Sequence, residues 1–325
     1  MENKIRVGIV GYGNLGKGVE LALKNNPDFI LEGIFTRRDI ALLDTNSKVI
    51  HISQILNYKD KIDVMILCGG SAKDLPKQCP MLANYFNTVD SYDNHGKIPE
   101  YFEIIDKVAK NSNKVSLISA GWDPGLFSLN RLLGQAVLPN GENYTFWGKG
   151  VSQGHSDAIR KVKGVKNAIQ YTIPSKEAIE RVRSGYNPHL ETKEKHTRTC
   201  YVVPYDFNDT DRIEEEIKNM PNYFLGYDTT VHFITEEEFE KNHSKMPHGG
   251  SVISTGKTSI NHKQRIEFSL SLDNNPEFTS SILVAFARAV YRMALNGKTG
   301  AFSVFDIPLA YLSPKSGEEL RKELL

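Results

Sequence analysis

Apolar residues fall into two rhythms along this chain, and the change comes near Pro139. Before it, apolar runs at 7–10, 29–35 (broken by Glu32), 63–68, 87–91 and 115–119 predict buried strands. Between them, 15–23, 73–86 and 99–111 read as helices. The last has Pro99 near its start and Phe102, Ile105, Val108 and Ala109 on one face, whereas Pro76 and Pro80 shorten or bend the middle one. Strands spaced by helices predict right-handed parallel crossovers, hence an α/β, doubly wound parallel sheet. After Pro139, candidate strands at 197–203, 229–234 and 265–272 alternate polar with apolar residues, the period of a sheet with one exposed face. Helices at 176–183 and 209–218 lie among them, and 279–296 is a strong helix stopped by Gly297. We therefore expect a first domain over 1–120, to which the segment from about 300 to 325 is the candidate to return. A second, α+β domain with an open, mostly antiparallel sheet is expected over 121–299.

The first strand breaks into Gly11-Tyr12-Gly13-Asn14-Leu15-Gly16, three glycines at the spacing G-x-G-x-x-G. Following a strand and opening a helix, this is a dinucleotide-binding turn of a Rossmann-type fold. Gly11 permits the bend, Gly13 leaves room for a pyrophosphate, and Gly16 lets helix and strand pack closely. The helix amino end adds N–H groups and a positive dipole. The next strand ends in Thr36-Arg37-Arg38, where a fold specific for NAD usually carries an acidic residue. A hydroxyl and two guanidiniums suit a 2′-phosphate, so NADP(H) is the expected cofactor.

Composition narrows the partners. Lys and Arg number 40 against 39 Asp and Glu, which disfavours nucleic acid and anionic membrane surfaces. No apolar stretch approaches spanning length, and a short polar start leads straight into the first strand, so a cytoplasmic location is expected. Cys68, Cys79 and Cys200 form neither a close ligand pair nor an even disulfide set, and no metal site is expected.

Loops at 69–72, 92–95 and 121–125 follow strands and should border the crevice beyond the strands' carboxyl ends. Polar and glycine residues concentrate at 90–95, 121–125, 146–157 and 246–250. Taken singly, each stretch also reads as a turn or as packing beside one. Taken in order, Val10-Gly11-Tyr12-Gly13-Asn14-Leu15-Gly16, Phe35-Thr36-Arg37-Arg38, Tyr92-Asp93-Asn94-His95, Gly121-Trp122-Asp123-Pro124-Gly125, Thr145-Phe146-Trp147-Gly148, Ser152-Gln153-Gly154-His155-Ser156-Asp157, Met220-Pro221 and Met246-Pro247-His248-Gly249-Gly250 resemble the meso-diaminopimelate dehydrogenase family over essentially the whole chain. Gly69 departs from the bulkier side chain expected there.

The resemblance implies NADP-dependent oxidative deamination of the D-centre of meso-2,6-diaminopimelate, a CH–NH2 donor, within lysine and cell-wall precursor synthesis, by a cytoplasmic homodimer. It implies cofactor contacts from Gly11 to Gly16, Thr36, Arg37, Arg38, Cys68, Gly69, Gly70, Ser71, Ala72, Ser91, Tyr92, Asp93, Gly121, Trp122, Asp123, Pro124 and Gly125. Asp93 and Asp123 are the implied acid–base groups and also touch substrate, with a water as the third possible proton acceptor. Trp147 is expected against the substrate's methylenes, and Gln153 and Gly154 at its reacting end. Thr172, Arg198 and His248 match a clamp for the far carboxylate, and Asn275 a hydrogen-bond partner of that end. The rival readings are another two-domain NADP-dependent oxidoreductase of a small polar substrate and a non-catalytic NADPH-sensing protein. A thioester-forming semialdehyde enzyme would need a poised cysteine, and neither Cys68 nor Cys200 sits as one.

Overall fold

Every apolar run of the first region becomes a strand of a single parallel sheet. The structure, a computed structural model, describes residues 4–325. In chain order the strands are β1 (Ile5–Val10), β2 (Phe29–Thr36), β3 (Val49–His51), β4 (Val64–Leu67), β5 (Asn87–Asp90) and β6 (Val115–Leu117). A late strand, Gly300–Phe302, completes the sheet by pairing with β6. Its spatial order is Gly300–Phe302, β6, β5, β4, β1, β2, β3, with all neighbours parallel. The order reverses between β1 and β4, and that switch point opens a crevice at the strands' carboxyl ends. β1 and β4 are buried on both faces, which is why they read as unbroken apolar runs. β3 has only three residues and no such run, so no apolar pattern announces it. The helix expected at 73–86 contracts to Leu75–Leu82, with Pro76 in its first turn and Pro80 inside.

Two compact units emerge, the first comprising residues up to Leu129 together with Pro276–Leu325, the second Asn130–Asn275. The expected boundaries at 120 and 299 therefore move. Loop 121–125 stays with the sheet because Ala120 donates to the Asp90 carbonyl (2.8 Å) and Leu126 to that of Gly121 (3.0 Å). The Asn275–Leu295 helix joins the first unit because Ser280 Oγ bonds the Leu15 carbonyl (2.8 Å), tight against Gly18. Arg288, 2% exposed on this helix, binds Asp28 through two oxygens (2.6 and 2.9 Å), Asn26 Oδ1 (2.8 Å) and the Leu312 carbonyl (2.7 Å). This helix corrects one expectation, since its 21 residues and mean hydropathy of 1.3 meet the length and apolarity of a membrane span. Its apolar residues are largely packed inside the unit, as in a core helix.

The second unit holds two sheets rather than the single open one expected. Its strands are β7 (Glu142–Trp147), β8 (Gly150–Val151), β9 (Val165–Pro174), β10 (His196–Pro204), β11 (Thr229–Phe233), β12 (His248–Lys257) and β13 (Lys263–Leu272). One sheet runs β11-β10-β9-β8, antiparallel except for β10 with β11, and the other runs β13-β12-β7, fully antiparallel. β12 escaped the sequence because His248-Gly249-Gly250-Ser251 has poor strand propensity, yet nearly all of it is buried. β9 is buried on both faces over Ala168–Thr172, so it lacks the alternation that betrays a half-exposed strand. The apolar floor of the four-stranded sheet is Ile159, Ala168, Val202, Ile213, Ile217 and Phe224.

Candidate active site

At the switch point of the first unit, the glycine turn has the shape its spacing predicts. Gly11 takes φ +92, and a Cβ at Gly16 would lie 2.2 Å from the Gly11 carbonyl oxygen, so only glycine permits this approach. A Cβ built on exposed Gly13 meets nothing within 4 Å, leaving the approach to the backbone clear. The Asn14–Lys24 helix carries no acidic residue in its first turn and no side-chain bond at its cap. These features fit a pyrophosphate.

Around that turn, Arg38 donates to the Tyr12 carbonyl, while its own N–H bonds buried Thr36 Oγ1 (3.0 Å). Arg37 is exposed and pairs with Asp74 Oδ1 (2.7 Å), whose other oxygen accepts from Gly70 N–H (3.2 Å). Gly69 lies where a Cβ would press to 2.7 Å on Asp74 and Gln78. Tyr12 is buried and donates its hydroxyl to Glu20, which also accepts from Thr45 (2.9 Å) and Ser47 (2.6 Å). Sequence reasoning missed Glu20, a buried carboxylate inside a helix whose partners come from a loop 25 residues away.

The other crevice loops are tied to one another. Asp93 donates its N–H to Ser71 Oγ (3.2 Å), joining the β5 loop to the β4 loop. Asp93 itself is exposed and Asp123 half-buried, in a loop closed by a bridge between Trp122 and Gly125. Trp122 is buried edge-on against Phe127. Cys68 ends this region half-buried, and burial pushes its thiol well above the ordinary range; Cys200 is pushed up to about 12. Neither is a poised thiolate.

In the second unit a row of residues assembles across the sheets. Arg198 on β10 stands opposite Thr172 on β9, which stands opposite Gly150 on β8. The Arg198 Nη1 donates to Thr172 Oγ1 (2.8 Å), and its guanidinium lies 4.3 Å over the Tyr227 ring. Its Nε is buried without a hydrogen-bond partner, and burial pulls the guanidinium's pKa down. Gly150 faces the His248 ring so closely that a Cβ would sit 2.5 Å from it. His248 Nδ1 lies against its own chain, 2.8 Å from the Gly249 nitrogen and 3.1 Å from the Gly249 carbonyl oxygen. The structure thus brings Thr172, Arg198 and His248 together.

Their neighbours complete the cluster. Trp147 ends β7, donates its N–H to His196 Nε2 (2.8 Å) and stacks on that ring at 5.5 Å. Burial, then Arg198, hold both His196 and His155 down at about 4, so both are neutral beside the guanidinium. Gln153 and Gly154 open the Gln153–Ile159 helix, with Gln153 Nε2 3.4 Å from Met246 Sδ. Asn275 donates its N–H to the Met246 carbonyl (3.0 Å), which sets it beside the same Met-Pro-His segment. Tyr227 and His196 were not singled out from sequence, because no motif surrounds them and only pairing of the strands brings them to Arg198 and Trp147.

Residues 121–274 match the family model for the diaminopimelic acid dehydrogenase C-terminal domain. The meso-diaminopimelate D-dehydrogenase of Ureibacillus thermosphaericus is 64% identical over 325 residues, covering 99% of this chain and 100% of its own. The structure of the Corynebacterium glutamicum DAP dehydrogenase in complex with DAP superposes with a TM-score of 0.92 at 46% identity, covering 99% of this chain and 100% of that one. An engineered D-amino acid dehydrogenase bound to NADP+ gives 0.87 at 44% identity, with the same coverage.

Proposed function

The chain belongs to the meso-diaminopimelate D-dehydrogenase family, and from that premise we infer that it oxidatively deaminates meso-2,6-diaminopimelate at its D-centre. Substrate, NADP+ and water give L-2-amino-6-oxopimelate, ammonia, NADPH and a proton, and the reverse is a reductive amination. NADP+, when bound, supplies the hydride acceptor.

The chain's own residues handle charge and orientation. A protonated amine cannot expel hydride from its carbon, so a base must first free the lone pair. Asp93, Asp123 or a water held by one of them takes that proton, and a carboxylate alongside stabilises the cation that forms as hydride leaves. Trp147, fixed by His196, packs on the methylenes, and Gln153 and Gly154 orient the reacting end. Arg198, Thr172 and His248 grip the carboxylate of the L-end, with Asn275 bonding the same end. Thr36, Arg37 and Arg38 receive the 2′-phosphate, while Gly11 to Gly16 and the loops from Cys68 to Ala72, Ser91 to Asp93 and Gly121 to Gly125 surround the rest of the cofactor.

One observation carries the substrate assignment: the buried, unpartnered Nε of Arg198 beside Thr172 and His248 supports an anion seat made for a carboxylate. Rejection of a wrong isomer then follows from leaving that cation unpaired. The test is the growth of reduced-nicotinamide absorbance with NADP+ and the meso, D,D and L,L isomers in turn. Turnover confined to meso is the expected result. NADPH binding without turnover would favour a sensor, and turnover of an unrelated alcohol or aldehyde would favour another oxidoreductase. We further propose a homodimer in the cytoplasm, the assembly being testable by light scattering on the purified protein.

A further inference from the structure

We infer that Asp90 is a positioning residue for this reaction: its carboxylate locks the loops that carry Asp93 and Asp123 into one arrangement. The inference rests on the reading of those two aspartates given above. β5 ends at Asp90 and β6 at Leu117, and the ladder between them stops at Val89 and Leu117. Beyond that point the two chains diverge with their amide groups inside the protein, where an unpaired donor is costly.

Asp90 meets those donors almost alone. It is 0% exposed. Its Oδ1 accepts from the N–H of Tyr92 (2.9 Å) and of Ser119 (3.0 Å), one from each loop. Its Oδ2 accepts from the Tyr101 hydroxyl (2.7 Å), and its backbone carbonyl accepts from Ala120 N–H (2.8 Å). Asp93 directly follows Tyr92, and Asp123 lies three residues beyond Ala120. The Tyr101 ring stacks on that of Tyr92 at 4.1 Å, so the third bond also braces the Asp93 loop.

Two further features separate a positioning role from plain stabilisation. Ser119 is held at φ +58, a left-handed conformation that is unfavourable for a residue with a side chain. The bend it makes redirects the chain toward Gly121 and Asp123, and the bond to Asp90 holds it. Burial also disfavours the charged form of Asp90, so an amide would satisfy the same two N–H groups at less desolvation cost. A carboxylate makes shorter, stiffer bonds, and stiffness is what two acid–base groups need when a displacement of about 1 Å costs roughly a hundredfold in rate.

The experiment uses the full chain with Asp90→Asn and Tyr101→Phe, alongside Asp93→Asn and Asp123→Asn. Asp90→Asn keeps Oδ1 for the two amides but loses the charge. We expect its kcat on meso-diaminopimelate to fall about 10- to 100-fold. KM for NADP+ and the NADPH dissociation constant should change less than kcat, because the glycine turn and Arg37 with Arg38 are untouched by the substitution. The deuterium isotope effect at the D-centre should rise, because a misplaced base slows the hydride step itself. A protein that is merely less folded loses apparent kcat with its isotope effect unchanged. Should Asp90→Asn fail to fold, Tyr101→Phe, which removes one donor, carries the test with a smaller loss and the same rise in isotope effect. Wild-type kcat and isotope effect in whichever of these variants folds, while Asp93→Asn or Asp123→Asn is impaired, overturn the role of Asp90. Wild-type turnover in both Asp93→Asn and Asp123→Asn overturns the reading of the two aspartates, and this inference with it.

Discussion

Arg198 shows how a single side chain is made ready for an anion. Burial, the Tyr227 ring and the Thr172 hydroxyl hold it, yet its Nε stays buried and unmatched. Arg198→Met should cost the meso substrate roughly 2–5 kcal/mol in kcat/KM, as for loss of one partner of a buried charge pair. NADPH affinity should be untouched, and an equal loss of cofactor binding in a titration would refute the assignment. The two arginines after β2 differ from each other. Arg37 contacts only Asp74 among its described hydrogen-bond partners, so Arg37→Ala should raise KM for NADP+ and leave use of NAD+ nearly unchanged. Arg38 also grips the Tyr12 carbonyl in the glycine turn, so Arg38→Ala should weaken both cofactors. An unchanged NADP+ constant in Arg37→Ala would sink the phosphate assignment.

Between elements, His196 couples β10 to the end of β7 through the Trp147 N–H. That bond needs a neutral ring nitrogen, and burial with the Arg198 charge keeps the pKa at about 4. The unfolded chain's histidine titrates near 6.5. Below that value the unfolded state takes a proton that the folded state refuses, so stability is complete above about pH 6.5 and falls as pH drops toward about 4. His155 adds a second contribution of the same sign. Melting temperatures measured from pH 7 to pH 4 should therefore fall more steeply for the wild type than for His196→Asn. Parallel slopes would show that His196 is not the group concerned.

At the scale of the whole molecule, the first unit closes only when the chain returns to it after residue 275. Arg288 then clasps the Asn26–Asp28 segment and the Leu312 carbonyl, joining three parts of the chain that are distant in sequence. Asp28 is about one-third exposed, which puts the cost of Arg288→Met near the low end for a buried pair, about 3 kcal/mol. The first unit's melting transition should drop by on the order of 10 °C, and Asp28→Leu in the same chain should recover part of it. A melting point unchanged by Arg288→Met would show the clasp to be dispensable.

Local order was legible wherever a residue's task depends on its immediate neighbours. The glycine turn is written in the two spacings between Gly11, Gly13 and Gly16, and the parallel sheet in apolar runs buried on both faces. Lys176–Arg183 was legible as a helix over the bounds it takes, and the structure adds its cap, Ser175 Oγ accepting from Ala178 N–H (3.2 Å). What stayed hidden depends on groups far apart in the chain. β12 forms in a glycine- and serine-rich stretch because β7 and β13 flank it, and the row from Arg198 through Thr172 and Gly150 to His248 exists only once four strands align. Asp90 lay in plain view beside Asp93, but its two amide partners are 2 and 29 residues away, and pairing of β5 with β6 decides that it faces inward. Side-chain chemistry and local periodicity are properties of neighbours in sequence; the burial and pairing of a charge are properties of neighbours in space.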